Sequence, residues 1–204
     1  MSTTAAQRLP AAERRKAIVE AALRVFSNSS YDGATTAEIA REAGVSEPIL
    51  YRHFASKREL YVACLEEGWS RFRAAIEDAL AAEPDPSRWP GTIPRAARSF
   101  HERGECKPSS LWVQAINQAA EDPEIRKAIR KNLREVHGFF EEVIREAQVR
   151  GGVPADRDPN AEAWISLGVG LLRSISSRVG GLLTPDDFVA IGSARSAWLT
   201  EKEA

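Results

Sequence analysis

The chain has 204 residues, 43% of them hydrophobic and 28% charged, with a formal net charge of −1. That is enough apolar material for one large or two small domains, and too little net charge for a protein that coats nucleic acid over its whole surface. No apolar run reaches membrane-spanning length, and residues 1–10 lack the hydrophobic stretch of a secretory leader, so a cytoplasmic protein with a flexible N-terminal arm is expected. The two cysteines, Cys64 and Cys106, have neither metal-ligand nor redox-pair spacing. Two ordinary reduced thiols are the simplest reading, and a redox role for the pair is left open. Charge is unevenly spread: residues 1–58 carry 9 Lys/Arg against 6 Asp/Glu, and the remainder 19 against 23.

Arg8, Arg14, Arg15 and Lys16 lie near the start of the chain, either to touch a DNA backbone or only to solvate a helix. Residues 35–58 then spell a short helix, a tight turn, a second short helix and the start of a third. Thr35 with Glu38 has capping-box spacing, and Ile39, Ala40 and Ala43 give that helix a small apolar inner face. Gly44 stops it, because glycine accepts the left-handed conformation a helix end favours. Val45 plugs the turn, Ser46 is placed to cap the next helix, and Pro48 falls in its first turn, where a missing N–H costs little. Leu50 and Phe54 are four apart and share the face that should be buried. Glu47, Ile49, Tyr51, Arg52 and His53 are left on the other face. Ser56 with Glu59 repeats the capping box, with Lys57 and Arg58 in the first turn, where cations oppose the helix dipole unless an anion is bound. Such a helix-turn-helix can lay one helix in the major groove of DNA while another braces it on the backbone.

The stretch from about Ala11 to Leu65 resembles the N-terminal domain of the tetracycline-repressor (TetR) family of bacterial transcription regulators. The likeness rests on Ile18 to Phe26, Thr35-Thr36, Ile39-Ala40, Ala43-Gly44-Val45-Ser46, Leu50 to Phe54 and Ser56 to Leu60. It implies that Thr36, beside Thr35, contacts a phosphate, and that Tyr51, His53 and Lys57 clamp the DNA backbone. Ser46, Glu47, Pro48, Ile49 and Arg52 then face base edges. Glu47 can accept from a cytosine amino group, Ile49 can touch a thymine methyl, and Arg52 can reach guanine or phosphate. The tetracycline repressor has an arginine where this chain has Ala37, so its operator is not carried over.

The remainder reads as helix throughout. From Ser56 to about Ala82, Leu60, Cys64, Trp69, Phe72, Ile76 and Leu80 recur at helical spacing, and Glu83 to Ser87 is a break. A helix is expected after Pro94, another from Ser109 or Ser110, and a long one from Asp122-Pro123 to Gly151-Gly152. Asp158-Pro159 and Thr184-Pro185 open the last two. An all-α protein of about nine helices follows, with residues 11–58 as the DNA-binding domain and 59–204 as a regulatory and dimerisation domain, the family's own division.

The helix after Asp158 is apolar around most of its circumference, which implies burial on two sides. Trp164, Leu167, Gly168, Leu171, Leu172 and Ile175, with Trp198, are the expected dimer face, Gly168 and Gly170 permitting close approach. The alternative is an internal helix in a monomer. The resemblance implies a homodimer on a near-palindromic double-stranded operator, and a small-molecule effector that releases it. Candidate effector contacts are Trp69, Phe72, Phe100, Trp112, Asn117 and Phe140, aromatic or polar groups on the middle helices. Gln114 and His137 are candidates of the same kind, though the charged neighbours of His137 suggest that it is exposed. No nucleophile elbow, phosphate loop, metal run or cofactor motif is present in the sequence. The reading is a ligand-responsive regulator, a repressor rather than an enzyme. A small all-helical enzyme or binding protein whose hairpin does not touch DNA is the other possibility. A polar, exposed face at residues 46–53 favours the first.

Overall fold

The computed structural model describes residues 10–103 and 108–201, with the backbone alone for 108–110. Within them the chain is all-α: nine helices and one 3-10 turn. It divides into two compact units, Met1–Cys64 and Leu65–Ala204, so the change of unit falls inside a helix rather than at its start. All of the expected arm at residues 1–10 except Pro10, and Cys106, lie outside the described residues.

The first unit holds α1 (Ala11–Asn28), α2 (Thr36–Glu42), α3 (Glu47–His53) and the beginning of α4 (Lys57–Ala81). Ile18, Phe26, Ile39, Leu50, Phe54, Leu60 and Tyr61 are fully buried and form its core. The Tyr61 ring stands edge-on to Phe26 and to Tyr31, each at 4.9 Å between centroids, which joins α1 and the loop after it to α4. Gly44 has φ 67°, and the Val45 N–H donates to the Ala40 carbonyl at 2.9 Å, closing α2 in the left-handed manner that glycine permits. Thr35 Oγ1 accepts from Glu38 N at 3.1 Å, but the return bond from Glu38 is not formed, and the Ser46 side chain does not cap α3. At α4, Ser56 Oγ accepts from Glu59 N, while the Glu59 carboxylate takes the Ala55 N–H at 2.7 Å.

The second unit holds the rest of α4, a 3-10 turn at Pro86–Arg88, α5 (Trp89–Glu102), α6 (Pro108–Gln118), α7 (Pro123–Val149), α8 (Pro159–Val179) and α9 (Pro185–Thr200). The expected start of a helix at Pro94 is corrected. The helix begins at Trp89 with Pro90 in its first turn, and Pro94 sits inside it. Proline there omits only the bond to the Pro90 carbonyl, and its ring packs at Gly192 of α9, where an added Cβ would stand 3.3 Å away. Aspartates cap as their Asp-Pro pairs predict: Asp122 accepts from Glu124 N and Ile125 N, and Asp158 from Asn160 N. Thr184 and Asp187 complete a reciprocal capping box at α9. α7 packs against α6 and α8, and α5 against α9. Two polar ties fix these layers. Trp112 Nε1 donates to Asn132 Oδ1 at 2.7 Å inside the α6–α7 contact. Arg157, buried, donates to the carbonyls of Trp198 and Glu201 at the end of α9, where unpaired C=O groups favour a cation.

Candidate nucleic-acid interface and ligand cavity

α3 presents one sealed face and one open face. Leu50 and Phe54 have no exposure, while Tyr51 is 46% exposed and Ser46, Pro48 and Arg52 are exposed. Glu47, Ile49 and His53 are half-buried at the rim. Ser46, Ile49 and Arg52 line a shallow depression together with Gly44, Val45 and Arg14 of α1. Among the described residues near the chain start, Arg14 thus joins this surface, and Arg8 lies outside them. Arg15 instead lies over the Phe54 ring at 4.6 Å. Arg24 and Glu42 pair at 2.9 Å and brace α1 against α2.

Three of the expected contact residues hold one another. Thr36 Oγ1 donates to Glu47 Oε1 at 2.5 Å and stands 3.1 Å from Tyr51 Oη. With its own proton committed to the carboxylate, the threonine oxygen accepts from the tyrosine. Lys57 points away from α4 toward the loop after α1: Nζ donates to the Asp32 carbonyl at 3.4 Å and lies 4.6 Å from the Tyr31 ring. Burial lowers the Lys57 pKa, and Asp32 opposes that shift. Tyr31 and Asp32 were not legible as neighbours of this surface because Lys57, which meets both, lies 26 and 25 residues on.

In the second unit a cavity of about 150 Å³ opens between the helices. Of the six candidate effector contacts, Phe72, Trp112 and Phe140 line it. Trp69 and Phe100 are buried beside Phe72 without lining it, and Asn117 is exposed on α6, so these three are corrected as wall residues. His137 is also corrected: it is buried, its Nε2 is 3.1 Å from the Asn160 carbonyl, and its ring faces Trp164 at 4.2 Å. The wall that sequence reading missed is α5, where Trp89, Ile93, Ala97 and His101 recur every fourth residue and all face the cavity. Placing the helix start at Pro94 hid that stripe. His101 Nδ1 is 2.5 Å from the Ala97 carbonyl. Burial lowers its pKa; the Ala97 carbonyl opposes this and Arg173 adds to it.

The α8 face divides. Trp164 is 48% and Ile175 45% exposed, Gly168 is exposed, and Leu171 and Leu172 are half-buried. Leu167, only 5% exposed, turns inward onto the cavity wall and does not belong to that outer face. Apart from the backbone of α8 itself, no atom of the described residues lies within 4 Å of a Cβ built on Gly168 or Gly170, so nothing among them makes the close approach expected of these glycines. Trp198 is 47% exposed, with Nε1 donating to Glu162 at 3.1 Å and Arg157 over its ring. Among the described residues no helix is long and apolar enough to cross a membrane, and no group of three or more His, Cys, Asp or Glu is placed to hold a metal ion.

An all-helical chain with a helix-turn-helix head and a separate helical unit enclosing a cavity has the anatomy of a one-component bacterial regulator. Comparison with known proteins gives the family. Residues 18–64 match the family described as "Bacterial regulatory proteins, tetR family", and residues 95–169 match "BetI-type transcriptional repressor, C-terminal". The chain is 44% identical over 78 residues to the transcriptional activator FasR of Mycolicibacterium smegmatis, covering 38% of this chain and 36% of that one. It is 30% identical over 118 residues to the regulator BetI of Rhizobium meliloti, covering 57% of each. These matches therefore span about a third and somewhat over half of those two relatives. AibR, solved in complex with isovaleryl coenzyme A and operator DNA, shares the fold with a TM-score of 0.65 and 24% identity, covering 92% of this chain and 98% of that one. The chain belongs to the TetR family.

Proposed function

We propose that this protein is a cytoplasmic, dimeric transcription regulator that binds a near-palindromic operator and is released by a small molecule held in the second unit. The observation that carries the reading is the open face of α3: Ser46, Pro48, Tyr51 and Arg52 reach solvent while Leu50 and Phe54 anchor the helix from behind. On this reading Thr35, Thr36, Tyr51, His53 and Lys57 serve phosphates, and Ser46, Glu47, Pro48, Ile49 and Arg52 serve bases. Repression rather than activation is favoured by the match of residues 95–169 to a repressor family. FasR, by its name, is an activator, so a reporter assay decides the sign.

The dimer reading rests on the apolar groups that α8 and α9 leave exposed. Trp164, Gly168, Ile175 and Val179 fall on one stripe of α8, with Val189 and Trp198 on α9. A patch of that kind on a soluble protein marks an interface. α4 offers the route of response, since one uninterrupted helix carries both Phe72 on the cavity wall and Lys57 at its first turn. Fluorescence anisotropy with DNA flanking the protein's own gene tests the function: salt-sensitive, sub-micromolar binding is expected, by order of magnitude. Absence of binding at low salt leaves only a helical binding protein. Sedimentation should give twice the 22.4 kDa chain mass; a monomer rejects the dimer.

A further inference from the structure

The cavity has one chemical asymmetry. Its wall is apolar except for Ser166, His101 and two arginines, Arg173 and Arg195. Arg195 is neutralised by the buried carboxylate of Glu162, which also takes the Trp198 indole N–H. Arg173 has no such partner. Its guanidinium lies 4.1 Å from the centre of the Phe188 ring, and among the described residues it makes no hydrogen bond or ion pair. The charges that act on it are Arg98, which repels it, and Glu102, an exposed residue that attracts it. A cation half-withdrawn from water beside a second cation is a costly arrangement unless an anion completes it. The ring of Phe188 offsets only part of that cost.

We infer that the cavity takes a compact organic carboxylate, its apolar body among Phe72, Trp89, Ile93, Phe140 and Leu167 and its anionic head on Arg173. The inference rests on the cavity being the effector site proposed above, and adds the class of effector. Volume sets the body: a cavity of about 150 Å³ encloses a benzene-sized group. The head follows from the donor. A planar guanidinium offers two parallel N–H groups, the geometry of a carboxylate. One unmatched arginine, aided by the field of Arg98, suits a single negative charge.

The test uses the full chain and two pairs of probes that differ only in charge: phenylacetate against phenylacetamide, and hexanoate against hexanamide. Calorimetric titration should show the acids binding at least roughly tenfold more tightly than the amides. In Arg173→Gln acid and amide should bind alike, and Arg173→Lys should restore part of the difference while confirming that the site folds. Equal binding of acid and amide to the wild-type chain, or a preference that survives in Arg173→Gln, overturns the inference, as does failure of all four probes to bind. Hexanoyl coenzyme A provides the other source of an acyl group. If it binds through Arg173 where hexanoate does not, the free carboxylate is rejected. DNA anisotropy in the same samples separates the two readings. Amides that bind like acids and release DNA leave the regulator standing without the carboxylate, whereas acids that bind through Arg173 without releasing DNA keep the carboxylate and remove the response.

Discussion

Glu47 should restrain DNA binding as well as read it. Its carboxylate accepts the Thr36 hydroxyl at 2.5 Å, and Thr36 in turn receives Tyr51. For either hydroxyl to donate to a phosphate oxygen, this chain of bonds must be rearranged. A hydrogen bond to a charged group contributes about 1.5–3 kcal/mol when shielded, and at this half-buried position roughly 1 kcal/mol is the reasonable share. Releasing it corresponds to an affinity gain of roughly fivefold, before counting repulsion between the carboxylate and the DNA backbone. Glu47→Gln should therefore bind random duplex DNA several-fold more tightly than the parent, while Tyr51→Phe, which loses a donor and no charge, binds it more weakly. Anisotropy with a labelled random duplex at two salt concentrations measures both. If Glu47 also accepts from a base, the gain on the operator is smaller than on random DNA and discrimination narrows. Weaker binding of Glu47→Gln to random DNA would show that the carboxylate aids docking and would refute this reasoning.

Other consequences lie in the second unit. An added Cβ at Gly152 would run into the Pro86 carbonyl group, so Gly152→Ala should cost about 1–3 kcal/mol and lower the melting temperature by several degrees in a thermal melt. Asn132→Leu leaves the buried Trp112 indole N–H without its acceptor, and chemical denaturation should show a loss of about 1–3 kcal/mol. Burial holds His101 below the ordinary histidine range, so its contribution to stability is present above about pH 6.5 and is lost as pH falls through the folded-state value. His101→Gln should flatten the decline in melting temperature from about pH 7 to pH 5 relative to the parent; parallel curves would show that His101 does not control it.

Much of the first unit can be read directly from the sequence because its signals are local. Gly44, Val45 and the Leu50/Phe54 spacing each act within a few residues, and the structure places them as that spacing demands. Side-chain partners were harder to foresee. Thr36 and Glu47 are 11 residues apart and meet only because the turn folds α3 back across α2. The resemblance puts Lys57 on the DNA backbone, yet its amine rests on Asp32 and Tyr31, so contact with a phosphate requires it to leave them.

The cavity was only partly legible, for a physical reason. Helical periodicity identifies which face of a helix is buried, but a residue against a neighbouring helix and one against a void have the same apolar character. Phe72 lines the cavity while Phe100, also buried and in contact with it, does not, and no property of the two side chains distinguishes them. Leu167 and Trp164 are both apolar and three positions apart on α8; tertiary packing turns one toward the cavity and leaves the other exposed. What the sequence does contain is charge in an unexpected place. Arg173 follows Leu171-Leu172 on the most apolar stretch of α8, and Glu162, the buried acid on the same helix, is already engaged by Arg195. Pairing that acid with α9 leaves Arg173 as the wall cation that makes no ion pair among the described residues, and it is this division of partners, fixed only when α8 and α9 are brought together, that gives the cavity its polarity.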